Sequence, residues 1–200
     1  ERGSSRVVDI DDCMLQKEPV MAVADAIRKL IEQHKISVYK EPKRYGRGRN
    51  QKPPKQSNTA KLREVTVKAC EGTGEIMVVL TVTGKQLPNA EDIVYAMDDA
   101  IDEVSEEYAL ESVILEVKKG DIHDFAKDYI PLAGKRTIND RIQVAGRDLE
   151  FEISGSAFYQ VNTNQMTRLY EKAREYAGLS GEEVVFDLYC GIGTIGLSMA

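Results

Sequence analysis

The stretch VVFDLYCGIGTIGLSMA, residues 184–200, narrows the possible folds more than any other part of the chain. Its short, continuously apolar run up to Asp187 and Leu188 is the pattern of a strand buried on both faces of a parallel sheet. Glycines follow at 191, 193 and 196, and a helix-like pattern begins at once. Where Cβ atoms are missing, backbone N–H groups and the start of the next helix can come close to a ligand that side chains would push away. Upstream, Asn162 or Thr163 is placed to cap a helix whose apolar stripe is Met166, Leu169, Tyr170, Ala173 and Ala177, with Gln165 placed to complete a box from Asn162 and Gly178 ending it. Helix, strand, glycine loop, helix is how a doubly wound nucleotide-binding domain opens.

The residues before this unit are patterned differently. A short strand is expected at Val7–Ile10. Val20, Val23, Ala24, Ile27, Leu30 and Ile31 then recur at helical spacing behind Pro19, and His34 extends that stripe as a packing or end-capping residue. REVTVKAC and EIMVVLTVTG flank the turn residues EGTG and predict a β-hairpin, with Cys70 a bystander at its turn. Ile93, Met97, Ala100, Ile101 and Val104 mark an acidic helix. SVILEVKKG reads as a strand, and RTINDRIQV and DLEFEIS pair across an AGR turn. Helices and β-pairs mix without strict βαβ alternation, so residues 1–157 predict an α+β central domain. Residues 158–200 predict the start of an α/β Rossmann-like domain. His123, beside two aspartates in KKGDIHDF, reads as a surface loop, because one histidine without a second makes a poor metal site.

Charge is unevenly distributed. The net charge is −6, yet residues 35–68 hold eleven Lys or Arg against two Glu, a local balance of +9 that leaves −15 for the rest. The loop at about 40–61 combines prolines, glycines and two nearby tyrosines with its cations. Its composition fits a solvated linker or an arm that tracks nucleic-acid phosphates through Lys43, Arg44, Arg47, Arg49, Lys52 and Lys55. No apolar run approaches the roughly 20 residues of a membrane span, and the first residues lack a signal-peptide core, so a cytoplasmic protein with no membrane partner is expected. Cys13, Cys70 and Cys190 are an odd, widely spaced set and predict no disulfide framework.

GIGTIG matches G-x-G-x-x-G, a spacing that fits a nicotinamide or flavin dinucleotide fold as well as an S-adenosylmethionine fold. The preceding FEISGSAFYQVNTNQMTRLY, read with DLYCGIGTIGL, resembles the RNA uracil-5-methyltransferase family, whose FxQVN segment precedes a D-[LA]-[YF]-C-G-x-G-[TN] motif in this order and spacing. GKRTINDRIQVAGRDLEFEIS and VVDIDDCMLQ resemble further segments of the same family, so the likeness covers most of the chain. It is poorest in the basic loop and in KLREVTVK, where Arg63-Glu64 stands in place of the Arg-His pair of many members.

The resemblance implies an S-adenosylmethionine site built from Gln160, Tyr189, Gly191, Gly193 and Thr194, with Cys190 as pocket lining. Cys13 matches a family position that supplies the fourth ligand of a [4Fe-4S] cluster, but three companion cysteines are absent, so a cluster is expected only in a longer protein. The family's catalytic cysteine and base fall in motifs not found here. Their chemistry is thiolate addition to C6 of uracil, methylation at C5, then loss of the C5 proton and elimination of the enzyme, on a base extruded from folded RNA. The resemblance therefore implies an internal piece that is inactive alone, from an enzyme acting on a uridine of RNA, with 23S rRNA favoured over tRNA by the DDC segment. A dinucleotide-dependent oxidoreductase fragment and a free-standing RNA-binding module stay open at this point.

Overall fold

The computed structural model describes residues 10–40, 59–118 and 128–200. Helix α1 (Glu18–Glu32) starts with Pro19 in its first turn, where a missing N–H costs nothing. It ends in a Schellman arrangement: the Lys35 N–H donates to the Leu30 carbonyl and the His34 N–H to the Ile31 carbonyl, with His34 itself left-handed at φ 57°. His34 is therefore exposed and terminates the helix instead of extending its buried stripe.

Strands β1 (Leu62–Ala69) and β2 (Glu75–Val82) form the expected antiparallel hairpin. Helix α2 (Ala90–Val104) then crosses over, and β3 (Ala109–Val117) pairs parallel to β2. A further strand, β4 (Asp128–Gly134), closes the sheet antiparallel to β3, giving the order β1-β2-β3-β4. Strands β5 (Thr137–Val144) and β6 (Arg147–Ser154) make a separate two-stranded ribbon. Helix α3 (Thr163–Ala177) and the short α4 (Thr194–Met199) complete the order.

Alternation along β2 builds the layers. Ile76, Val78, Leu80 and Val82 point to one face and pack with Val23, Ile27 and Leu30 of α1 and Ile93, Met97 and Ile101 of α2. Met77 and Val79 point to the other and pack with Ile138, Ile142, Phe151 and Ile153 of the ribbon and with Met166 and Tyr170 of α3. The result is a mixed α/β body: two helices, a four-stranded sheet, then ribbon and helix. Each large apolar side chain fully buried here stabilises the fold by about 1.5–3 kcal/mol.

The strand expected at 184–188 does not form. Residues 182–190 pair with no strand among the described residues, and Val184, Phe186 and Leu188 are 82%, 82% and 77% exposed. An apolar run becomes a buried parallel strand only when neighbours supply both its ladder and its cover, and the described residues offer this run neither. The strand expected at Val7–Ile10 lies outside the described residues except for Ile10, which is irregular.

Candidate functional site

The FYQVN segment is the connection from β6 to α3, and its path is fixed from beneath. Lys68, on the β1 face turned toward the ribbon, donates from Nζ to the carbonyls of Ser154 at 2.7 Å, Gly155 at 2.9 Å and Ala157 at 2.7 Å. Those three bonds use all the donors an ammonium has. Burial pushes the Lys68 pKa down, against the pull of Cys70 and Glu116. Further along the segment, Tyr159 is held in turn. Its hydroxyl donates to Oδ2 of Asp140 at 2.8 Å, and Oδ1 of Asp140 accepts the N–H groups of Gly72 at 2.8 Å and Arg141 at 2.9 Å. Asp140 is fully buried. Its burial raises the carboxyl pKa, and the bonds from Tyr159, Gly72 and Arg141 oppose that rise only in part. Burial and the Asp140 carboxylate together push the Tyr159 phenol up as well.

Beyond Tyr159 the segment turns outward. Gln160 is exposed and makes no hydrogen bond among the described residues, between Tyr159, which is partly buried, and Val161, which is 62% exposed. Of the two cap candidates, Asn162 caps α3, its Oδ1 accepting the Gln165 N–H at 3.0 Å. Gly178 ends the helix in the left-handed conformation at φ 57°. The buried stripe of α3 is Thr163, Met166 and Tyr170, whereas Leu169 is 58% exposed.

At the glycine turn, Gly193 N–H donates to the Cys190 carbonyl at 2.8 Å and Leu197 N–H to the Gly193 carbonyl at 2.9 Å, so the turn runs straight into α4. Gly191 and Gly193 take φ of 59° and 83°, the region that a Cβ penalises, and this conformation is the structural reason for glycine at both. A Cβ added at Gly191 would meet nothing within 4 Å, which leaves the backbone open to solvent or ligand. Tyr189 is also left-handed, at φ 66°, and its side chain is fully exposed. A tyrosine in that region carries a cost of about 1–2 kcal/mol. Asp187 accepts the Gly196 N–H at 3.1 Å, and a Cβ at Gly196 would sit only 3.0 Å from that carboxylate oxygen.

Helix α3 joins the two motifs. Gln160 lies two residues before its cap, while Thr194 Oγ1 shares a 2.8 Å hydrogen bond with the hydroxyl of Tyr170 on the same helix and Ile192 packs against the cluster that holds Tyr170. No hydrogen bond links Gln160 to Tyr189 among the described residues. Cys190 is exposed on the turn, and Cys70 is buried, its thiol pushed up by burial and by the nearby Asp140 and Glu75. Lys43, Arg44, Arg47, Arg49, Lys52 and Lys55 lie outside the described residues, as does His123. Cys13 is half-buried, and among the described residues no three His, Cys, Asp or Glu converge to hold a metal. Cys13, Cys70 and Cys190 alone cannot supply the four thiolates of a [4Fe-4S] cluster.

Sequence reasoning passed over Lys68, Asp140 and Tyr159. Asp140 had a readable signal, an aspartate at an inward position of β5 between Ile138 and Ile142, where alternation demands an apolar residue. It also passed over a shallow 230 Å³ hollow beside the FYQVN connection, walled by Ile114, Pro131 and Tyr129 and edged by Arg136 and the Ser154–Ser156 turn.

Comparison with known proteins places the chain. No protein-family model matches it. It is 35% identical over 198 residues to a Caldanaerobacter subterraneus protein named uncharacterized RNA methyltransferase, covering 98% of this chain and 38% of that protein. Proteins of the same name from Staphylococcus aureus (strain COL) and Halalkalibacterium halodurans are 32% identical over 200 residues and 35% over 202, with 38% and 39% of their lengths covered. Among solved structures, the backbone is similar to Pyrococcus abyssi tRNA (uracil-54, C5)-methyltransferase in complex with S-adenosyl-L-homocysteine. The TM-score is 0.59 at 20% identity, over 98% of this chain and 41% of that one, a likeness of fold. The likeness to RNA methyltransferases read from FYQVN and DLYCGIGT is thereby borne out, and the chain is homologous over almost all of its residues to a stretch of about two fifths of the RNA methyltransferases it matches.

Proposed function

We propose that this chain is the middle part of an S-adenosylmethionine-dependent enzyme that methylates C5 of a uridine in RNA. The observation that carries the reading is the attachment of both motifs to one helix: FYQVN runs into the α3 cap, and the glycine turn is bonded to Tyr170 of α3. In this reading residues 1–157 are an RNA-recognition domain, and residues 158–200 open a Rossmann-like domain completed by further sequence. The relatives' names support RNA as substrate. The Pyrococcus abyssi neighbour, a tRNA (uracil-54, C5)-methyltransferase holding S-adenosyl-L-homocysteine, supports the uracil C5 position and the adenosyl ligand class.

The residues present fit the methyl donor. Gln160 is exposed with an unused amide that both donates and accepts, and the backbone at Gly191 is open. Tyr189 presents its whole ring beside that turn, and Thr194 is fixed by Tyr170 at the start of α4. When bound, S-adenosylmethionine supplies an electrophilic methyl group. This chain's part is to hold it: Gln160 at one edge, the 189–194 turn at the other. The cationic segment from Lys43 to Lys55 would follow RNA phosphates, and ribosomal RNA is the substrate favoured by the DDC segment.

The test uses the full-length gene product. It should bind S-adenosylmethionine by calorimetry and transfer labelled methyl to C5 of uridine in 23S rRNA transcripts, with tRNA as the second arm, while the 200-residue chain alone transfers none. Protection by NAD(H) with no response to S-adenosylmethionine would overturn the reading in favour of an oxidoreductase. RNA binding lost on deletion of residues 43–61, with no methyl-donor effect, would overturn it in favour of an RNA-binding module.

A further inference from the structure

We infer that Lys68, Asp140 and Tyr159 form a clamp that sets the position of Gln160 in the methyl-donor site, an inference that rests on the reading just given. Gln160 has no anchor of its own, so its place is decided by the backbone between β6 and the α3 cap. Outside its flanking elements, that backbone makes one internal bond, from Ala157 N–H to the Ser154 carbonyl at 3.2 Å. What fixes the connection is side chains from elsewhere. Lys68 gathers three of its carbonyls at 2.7–2.9 Å, from 86 to 89 positions earlier in the chain. Asp140, itself oriented by two backbone N–H groups, takes the Tyr159 hydroxyl at 2.8 Å.

The consequence falls on the next residue. With Tyr159 turned inward and tied, Phe158 on one side is 75% exposed and Gln160 on the other is exposed too. A half-buried ammonium and a buried carboxylate are costly to remove from water, and their backbone and phenol partners would be left unpaired by apolar side chains in their places. What the two side chains set between them is one defined path for the backbone. That path decides where an amide with two donors and an acceptor arrives. A binding group displaced by about 1 Å loses much of its effect.

The experiment compares wild type, Tyr159→Phe, Lys68→Met, Lys68→Arg and Ser112→Ala in the full-length protein. S-adenosylmethionine affinity is measured by calorimetry well below every unfolding midpoint, so that reduced stability alone does not shift it. Tyr159→Phe keeps the ring and deletes only the hydroxyl, and it decides the matter should Lys68→Met not fold. Affinity is expected to fall roughly tenfold in Tyr159→Phe and Lys68→Met, and to recover in large part in Lys68→Arg. Ser112→Ala removes a bond of similar kind, from a buried hydroxyl to the Lys135 carbonyl at 2.7 Å, far along the chain from the clamp. It should lower the midpoint and leave affinity intact.

A double-mutant cycle adds a readout that a merely structural role would not move. If the clamp acts through Gln160, the effect of Tyr159→Phe shrinks in a Gln160→Ala background. Unchanged affinity in Tyr159→Phe and Lys68→Met, or full additivity with Gln160→Ala, overturns the clamp while leaving the methyltransferase reading in place. A wild type that binds no S-adenosylmethionine overturns that reading and the clamp's role with it.

Discussion

Two glycines separate the two reasons for having no side chain. Gly146 is left-handed at φ 78° with nothing within 4 Å of an added Cβ, so Gly146→Ala meets only the backbone penalty, about 1–2 kcal/mol. At Gly72 a Cβ would overlap the Arg141 carbonyl, and the same residue's N–H feeds Asp140. Gly72→Ala should therefore cost about 3 kcal/mol or more, as overpacking against rigid backbone does. Urea unfolding of the two variants checks the order, and equal losses would refute it. The pair Tyr129 and Glu116 sets a pH dependence. Burial and acceptance of its hydroxyl by Glu116 at 2.9 Å push the Tyr129 phenol up from 10 to about 12. The folded state holds this proton more tightly than the unfolded one, so the contribution is whole below pH 10 and is lost as pH rises toward 12. Burial raises the Glu116 carboxyl, but hydrogen bonds from Thr81, Tyr129 and Lys118 outweigh it and leave the pKa lowered, so its contribution goes at the acid end. Tyr129→Phe should flatten the fall of the thermal midpoint between pH 10 and pH 12, and an unchanged slope would show that other groups cause it. The Asp140 site was half legible: its inward register was plain in TINDRIQV, but its partners Gly72 and Tyr159 come from distant segments that no local pattern connects.

At the level of elements, what could be read from the sequence is what local periodicity controls. Both long helices of the first layer, the β1–β2 hairpin, the β5–β6 ribbon and the capped α3 form where apolar spacing and turn residues place them. The α3 cap invites a direct check: Asn162→Ala removes the acceptor for Gln165 N–H and should cost about 1 kcal/mol. Loss of near that amount in chemical denaturation is expected, and no loss would mean that Tyr170 and Met166 alone hold the helix. Two elements escaped local reading for opposite reasons. β4 carries Pro131, which interrupts a strand pattern and is tolerated because β4 lies at the sheet edge, where an N–H facing away from the ladder has no partner to lose. The run at 184–188 has a strand pattern without strand neighbours, and pattern alone makes no ladder.

Across the whole molecule, the body around β2 encloses its own layers, while residues 182–190 lie outside it. β2 is buried on both faces because α1 and α2 cover one and the ribbon with α3 the other, and α2 returns the chain to lay β3 parallel along its edge, a crossover that the mixed helix and hairpin pattern did not announce. Residues 182–190 differ: they make no ladder, and Val184, Phe186, Leu188 and Tyr189 are 82%, 82%, 77% and 104% exposed, more apolar surface in one short run than an independent element leaves bare. Amide exchange follows the free energy of opening each backbone hydrogen bond. In the isolated chain, amides of β2 and β3 should therefore exchange at the global unfolding limit, and those of residues 182–190 within the dead time of manual mixing. If this run becomes a central parallel strand when further sequence supplies its neighbours, the same amides should become as protected in the full-length protein as those of β2. Protection already present in the isolated chain would mean that the run finds a partner within these 200 residues, and persistent fast exchange in the full-length protein would remove the Rossmann-like strand from the proposal.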